Sequence, residues 1–389
     1  MSSSGHPRPE PTSRAPLQTG VLTDRELRDA ARDGSIVAAA PLRDDQFQPA
    51  SLDLRLGPVA YQLRASFLPF RESVRERLEG AANNDLVIDR VSLEHGATLQ
   101  RGSVYLVPLL ESLALPANVR GRSNPKSTTG RLDVFTRVIT DGTPRFDEIK
   151  SGYRGPLYLE VSPQSFPVRV YAGLSLNQLR LLEGPTSMSD AALASLYREM
   201  PLLYDDDDRP MPLERVIFND GLCMGIDLSG RMTGGVIGYR AHPNPPAVDL
   251  ARVGHYDPSE FWEPIKAPPR DGYILEANRF YILVSKERIR VPPEFAAEMV
   301  VYDAGAGEIR THYAGFFDPG FGFGDGTILG TKVVMEVRAR EVPYMVYDGQ
   351  TSFKVWFERL RGRPARVYGV GLASSYQHQT LSLSKQFRR

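Results

Sequence analysis

The chain has 389 residues, and 47 Lys+Arg balance 47 Asp+Glu, so its formal net charge is zero. That length suits two domains better than one, and a neutral balance argues against a general binder of nucleic acid or of an anionic membrane. A single cysteine, Cys223, excludes an intrachain disulfide and points to a reducing, cytoplasmic setting, and no apolar run is long enough to span a bilayer.

Residues 1–20 hold no apolar core, so they read as a disordered tail rather than a secretory signal. The first element follows at "LTDRELRDAARDG". Thr23 stands at an N-cap with Glu26 three residues on, Leu22 and Leu27 occupy the staple positions, and Gly34 stops the helix. Beyond it, 34 glycines and 31 prolines punctuate short segments, which predicts a mainly β fold with a few short helices.

The strand pattern comes twice. A shift of 176 residues lays Leu99 on Leu275, Tyr105 on Tyr281, Glu111 on Glu287, Glu160 on Glu336 and Tyr171 on Tyr347. One shift held from residue 99 to residue 173 reads as an internal duplication of a β domain, since the period is too long for a solenoid. The expected organisation is a first domain over 21–184, a linker over 185–220 and a second domain over 221–389. In the linker, Ser189 caps a short helix carrying Leu193, Leu196, Tyr197 and Met200. The "DDDDRP" run after it reads as a solvated connection, not a metal site.

Two segments carry chemistry. "GRSNPKSTTGRLDVF" (121–135) crowds hydroxyls, amides and cations into one loop. In "LYLEV" (157–161), Glu160 interrupts an apolar strand; period two puts it on one face with Tyr158. Pattern alone favours a surface-facing carboxylate. Its recurrence as Glu336, and the "SGYRGP" turn before it, favour deliberate placement.

"QPASLDLRLG", "LPANVRGRS", "GYRGPLYLEV" and "VYAGLSLNQL", in this order and spacing, resemble the dCTP deaminase branch of the dUTPase-like family. The whole chain resembles the long, duplicated bacterial form. The resemblance implies two tandem dUTPase-like distorted β-barrels and a homo-oligomer, since members are usually trimers with nucleotide sites between subunits. It implies deamination of dCTP to dUTP and ammonia, with Glu160 as proton shuttle and Ser123 and Lys126 assisting. Arg122, Ser123, Asn124 and Lys126 match the family's triphosphate loop, in which Asn124 replaces a serine and Ser127 stands where the family has an arginine. Lys126 or Arg131 is the expected substitute cation. Arg137 and Asp141 are placed with the loop as nucleotide contacts, and Tyr376 and Gln379 match a C-terminal segment that closes over the nucleotide. The second copy has Ala297, Glu298 and Met299 at the loop positions, so it is expected to lack a phosphate site, with Glu336 structural.

The reaction asks for one carboxylate to move a proton from water to N3 and then to the departing amine. The zinc route needs a His-x-Glu and a Pro-Cys-x-x-Cys pair. Six scattered histidines and one cysteine do not supply them, so no protein-bound metal is expected and Mg²⁺ enters only with the triphosphate. Some relatives are regulated by dTTP. Two other readings stay open: a dUTPase, or an enzyme doing both reactions, with Asp141 or Asp147 as base; and a non-enzymatic nucleotide-binding protein.

Overall fold

A computed structural model describes residues 19–80, 85–269, 272–301, 309–311, 315–339, 341–370 and 376–389. The tail expected over 1–20 lies outside them except for its last two residues. The first helix forms as expected, over Asp24–Arg32, with the Thr23 amide donating to the Glu26 carboxylate at 2.8 Å and Leu27 fully buried.

The first half is built from two sheets. One runs Val134–Ile139, Arg154–Pro163, Val104–Ala114, Val59–Leu63, Val87–Ser92; the other runs Glu148–Ile149, Val119–Pro125, Ser175–Glu183, Ser51–Arg55, Phe47–Gln48. The second half repeats the first order whole and, among the described residues, the second without its last strand. Ile309–Thr311, Thr331–Ala339, Phe280–Ile289, Val236–Ala241 and Trp262–Lys266 make one sheet; Phe316–Phe317, Phe295–Val301, Thr351–Arg359 and Leu222–Gly225 make the other. All main pairings are antiparallel, and each half folds its strands around its own apolar cluster.

The halves are not beads on a string. Val248, Leu250, Phe261, Trp262 and Phe387, all beyond residue 220, join the first half's core. The 185–220 segment also belongs to the second half more than to a free linker. Its helix, Asp190–Glu199, buries Leu193 and Tyr197 in the second core. The aspartate run is not simply solvated. Asp206 pairs with the buried Lys332 at 2.6 Å, Asp207 with Arg231 at 2.6 Å and Asp208 with Arg288 at 2.5 Å. Local sequence gave no sign of these partners because all three lie in distant strands or turns. Among the described residues no helix is long and apolar enough to cross a membrane.

Candidate active site between the two halves

The Val119–Pro125 strand splits the polar loop by face. Ser123 points into its own half, is fully buried and donates to Asp147 Oδ1 at 2.6 Å. Arg122 and Asn124 point the other way, at the second half. Arg122 is gripped by Glu298 at 2.8 Å and Glu358 at 2.5 Å, and the Asn124 amide donates to Glu298 Oε1 at 2.9 Å. Buried Arg180 completes this seam with bonds to the Ala297 and Phe317 carbonyls, both 2.8 Å. The acidic residue expected to repel phosphate is thus the partner of the arginine expected to bind it.

Glu160 is buried, as deliberate placement requires, but its partner is internal. It sits across the strand pair from Arg137, whose Nε donates to Oε1 at 2.9 Å, while Oε2 has no hydrogen-bond partner. Arg137 also stacks 3.5 Å from the Phe146 ring and donates to Ser66. Asp147, in a left-handed conformation at φ 62°, also accepts from the Val138 amide at 2.8 Å. Burial pushes its carboxyl up to about 7, against the pull of the Ser123 and Val138 bonds and of Arg137. Asp141 accepts the Val74 amide at 2.8 Å, at the start of the Val74–Glu79 helix. Ser123, Arg137, Asp147 and Glu160 therefore form one cluster, and Asp141 serves a helix end.

A different set converges in a cavity of about 360 Å³ between the halves. The first half contributes Asp53, Lys126, Thr128 and Arg131; the second contributes Phe316, Asp318 and Glu336; the C-terminal segment adds Tyr376, Gln379 and Lys385. Glu160 and Arg137 do not line it.

At one end, Arg131 Nε lies 3.9 Å from Glu336 Oε1, and both side chains are almost wholly buried. Arg131 is held in place by Gln379 Oε1 at 2.7 Å, by the Ser382 carbonyl at 3.1 Å and by the Tyr376 ring, 3.9 Å from its guanidinium carbon. The Tyr376 hydroxyl meets the Thr128 hydroxyl at 3.0 Å, and the Gln379 amide donates to the Lys332 carbonyl at 2.9 Å. Burial raises the Glu336 carboxyl to about 8, although Arg131 pulls it down.

At the other end, Lys126 is paired with Asp53, and Lys385 lies close enough to feel both. Burial, then the Lys126 charge, lowers the Lys385 ammonium; burial raises Asp53. Asp318, on the second half's Asp-Pro-Gly turn, is raised to about 6 by burial, against the pull of Arg180. Asp53 Oδ1 and Asp318 Oδ1 are buried without hydrogen-bond partners. A second cavity of about 190 Å³ continues past Lys126 and Lys385, lined also by Arg43, Thr129 and Ser175. The Lys126 pair, the Thr128 hydroxyl and Lys385 make a cationic, hydroxyl-rich end; Glu336 and Arg131 make a dry, acid–base end.

Family models match both halves: residues 18–185 match the N-terminal domain of 2'-deoxycytidine 5'-triphosphate deaminase, and residues 189–387 match its C-terminal domain. The chain belongs to the dCTP deaminase family. It is similar to the crystal structure of 2'-deoxycytidine 5'-triphosphate deaminase from Agrobacterium tumefaciens, at 42% identity and a TM-score of 0.80, over 89% of this chain and 99% of that one. About two-fifths of the chain is similar to shorter proteins named dCTP deaminase, dUMP-forming. One, from Corynebacterium glutamicum (strain R), is 29% identical over 166 residues, 42% of this chain and 80% of that protein. Another, from Mycobacterium sp. (strain KMS), is 30% identical over 165 residues, with the same shares.

Sequence reasoning thus picked out Lys126, Arg131, Tyr376 and Gln379, which the fold brings to one cavity. It took Glu336 as structural and passed over Asp53, Asp318 and Lys385. A signal for Glu336 was present. If dCTP deaminase sites form between subunits, then in a duplicated chain the loop of one half belongs with the glutamate of the other.

Proposed function

We propose that the chain deaminates dCTP to dUTP and ammonia in the cavity between its halves, with Glu336 as the proton shuttle. One observation carries the assignment: Glu336 is the buried carboxylate that faces Arg131 in a cavity whose far end holds Lys126 and Lys385. The cytosine ring would occupy the dry end and the triphosphate, with its Mg²⁺, the cationic end. Two lysines and backbone or side-chain donors suffice for phosphate.

The steps then follow from the groups present. Ionised Glu336 takes a proton from water as the oxygen bonds to C4, and passes that proton to N3. It then moves the proton of the new hydroxyl to the amine; the C4–N bond breaks, ammonia leaves, and Glu336 ends as it began. Arg131, fixed by Gln379, Ser382 and Tyr376, favours the ionised carboxylate and faces the charge that develops beside it. The chemistry asks for no protein-bound metal, and the sequence offers no zinc-ligand spacing.

The assembly is read here as homo-oligomeric and the repeat as a duplication; the symmetric strand orders support the second. A second reading, further cleavage of the product to dUMP and pyrophosphate, is favoured by the names of the shorter relatives and by the buried Asp53 and Asp318 near the lysines. Incubating purified protein with dCTP and Mg²⁺, then assaying ammonia and pyrophosphate together, tests both. Ammonia without pyrophosphate fits deamination alone, both products in equal amounts fit the second reading, and no ammonia defeats the proposal.

A further inference from the structure

Beside the cavity, charges on the two halves meet in opposite order. The first half presents Arg131 and Asp133 on the turn that follows Ser127–Gly130, with Leu132 between them fully buried in the first core. The second half presents Glu336 and Arg338, two apart on the strand Thr331–Ala339 and so on one face. Arg131 faces Glu336 at 3.9 Å, which is too long for a hydrogen bond. Asp133 and Arg338 make the close contact: Arg338 Nη2 donates to Asp133 Oδ2, and both side chains are largely buried.

Asp133 is fixed for this contact. It is 1% exposed and holds a left-handed backbone at φ 53°, a conformation that Asp and Asn tolerate better than most residues. Its Oδ2 also accepts from Ser165 Oγ at 2.6 Å, while Arg338 Nη1 donates to the Asn278 carbonyl at 2.6 Å. The 176-residue shift lays Arg338 on Ser162, whose hydroxyl donates to the Ser103 carbonyl at 2.9 Å. Of the two copies of this strand, only the one whose glutamate lines the cavity carries the arginine.

Alone, Arg338 would be a second cation on the face of Glu336, roughly 7 Å along the strand. Two cations would hold the carboxylate ionised, whereas a relay must take up a proton and give it away. Asp133 cancels that second charge. Among the described residues, the other groups around Glu336 are Arg131, Tyr376 from the C-terminal segment, Ile282 as its partner on the Phe280–Ile289 strand, and Lys332 on its own strand, which Asp206 neutralises at 2.6 Å. Burial does most to raise the Glu336 carboxyl, Arg131 opposes the rise and Asp133 adds to it.

We propose that Asp133 and Arg338 are a positioning pair for Glu336: they set the register in which Arg131 meets it, and they cancel each other's charge so that Arg131 is the one cation it answers to. A slip of two residues would set Arg131 against Arg338 or, in the other direction, Asp133 against Glu336. The inference rests on Glu336 as the proton shuttle.

Two readouts test it. One is the carboxyl resonance of Glu336 in protein made with glutamate isotope-labelled at its δ-carboxyl, assigned by its loss in Glu336→Gln. The other is the kcat–pH profile for ammonia release from dCTP. Asp133→Asn keeps the left-handed turn but leaves the Arg338 charge unbalanced, so the Glu336 titration and the rise of kcat should both move to lower pH by about one unit or more. Arg338→Gln leaves Asp133 unbalanced and should move both to higher pH. The double variant buries no lone charge, so it folds even if a single variant does not, and both readouts should return to the wild-type position. A Glu336 titration that stays put or moves the same way in both single variants, or one that is shifted in the double variant, would overturn the pair. Opposite movements of the titration with an unmoved kcat profile would uphold the pair and count against Glu336 as the shuttle.

Discussion

Arg122 and Glu298 occupy the same position of the repeat, 176 residues apart, and they are ion-paired at 2.8 Å across the seam between the halves. Opposite charges at that one position of the repeat lock the halves together. The seam positions the site, because Lys126 and Arg131 follow Arg122 on the same loop and are carried up to the second half's Glu336.

Breaking the lock should therefore affect folding more than substrate binding. Arg122→Ala should lower the free energy of unfolding by about 3–5 kcal/mol, since it takes the cation from buried Glu298, and Glu298→Ala should cost less, since Glu358 still holds Arg122. Urea unfolding checks this. In the folded protein, KM for dCTP should change little in either variant; a selective rise in KM for Arg122→Ala would return that residue to the phosphate site.

The cationic end should behave differently. Lys126→Met and Lys385→Met should each raise KM for dCTP roughly tenfold or more, the usual scale of a charge-assisted phosphate contact of about 1.5–3 kcal/mol. Initial-rate kinetics at fixed salt measure it, and an unchanged KM in both would move the triphosphate elsewhere.

Asp147 gives a pH signature. Its carboxyl is raised in the folded chain to about 7 from the ordinary 3.8, so the folded state binds a proton that the unfolded state has released. This contribution to stability is full below pH about 4 and is lost as pH rises to about 7. Asp147→Asn keeps an oxygen for the Ser123 and Val138 donors but does not titrate. Its melting temperature relative to wild type should climb across that window, and a constant difference would mean that Asp147 is not protonated in the fold.

The C-terminal segment joins two roles. Phe387 is buried against Tyr256, Phe261 and Trp262, while Tyr376 and Gln379 grip Arg131. Phe387→Ala should destabilise the chain by about 3–5 kcal/mol. Gln379→Ala should leave the melting temperature within a few degrees but lower kcat, because Arg131 loses a positioning partner. A segment that only closed the site would show the second effect without the first.

Much of this fold was legible from local pattern. The capping box at Thr23, the period-two strands and the 176-residue shift each depend on neighbours in sequence or on the repeat itself, and the strand orders of the two halves agree with them. The site was legible only in pieces. Residues 126, 131, 376 and 379 could be singled out by type and resemblance, but which glutamate they meet is decided by how the halves pack. Within one strand, Glu160 and Glu336 look alike. The difference lies in the partners: Glu160 is held by Arg137 of the neighbouring strand in its own half, whereas Glu336 meets Arg131 of the other half. The aspartates at 206–208 show the same limit, because Lys332, Arg231 and Arg288 are each more than twenty residues away.

The most direct test of the account compares Glu336→Gln with Glu160→Gln for ammonia release from saturating dCTP. The amide keeps the volume of the side chain but cannot carry the proton. Glu336→Gln should bind dCTP and lose kcat by a factor of about 1,000 or more, within the 10²–10⁴ range that general acid–base groups supply and the added loss of a relay used twice. In the wild type, kcat should rise with pH toward about 8, where Glu336 becomes ionised. Glu160→Gln should unfold more readily, through loss of the Arg137 pair, yet keep kcat within a few-fold of wild type. Normal turnover by Glu336→Gln together with an inactive, folded Glu160→Gln protein would contradict the assignment of the site to the cavity between the halves.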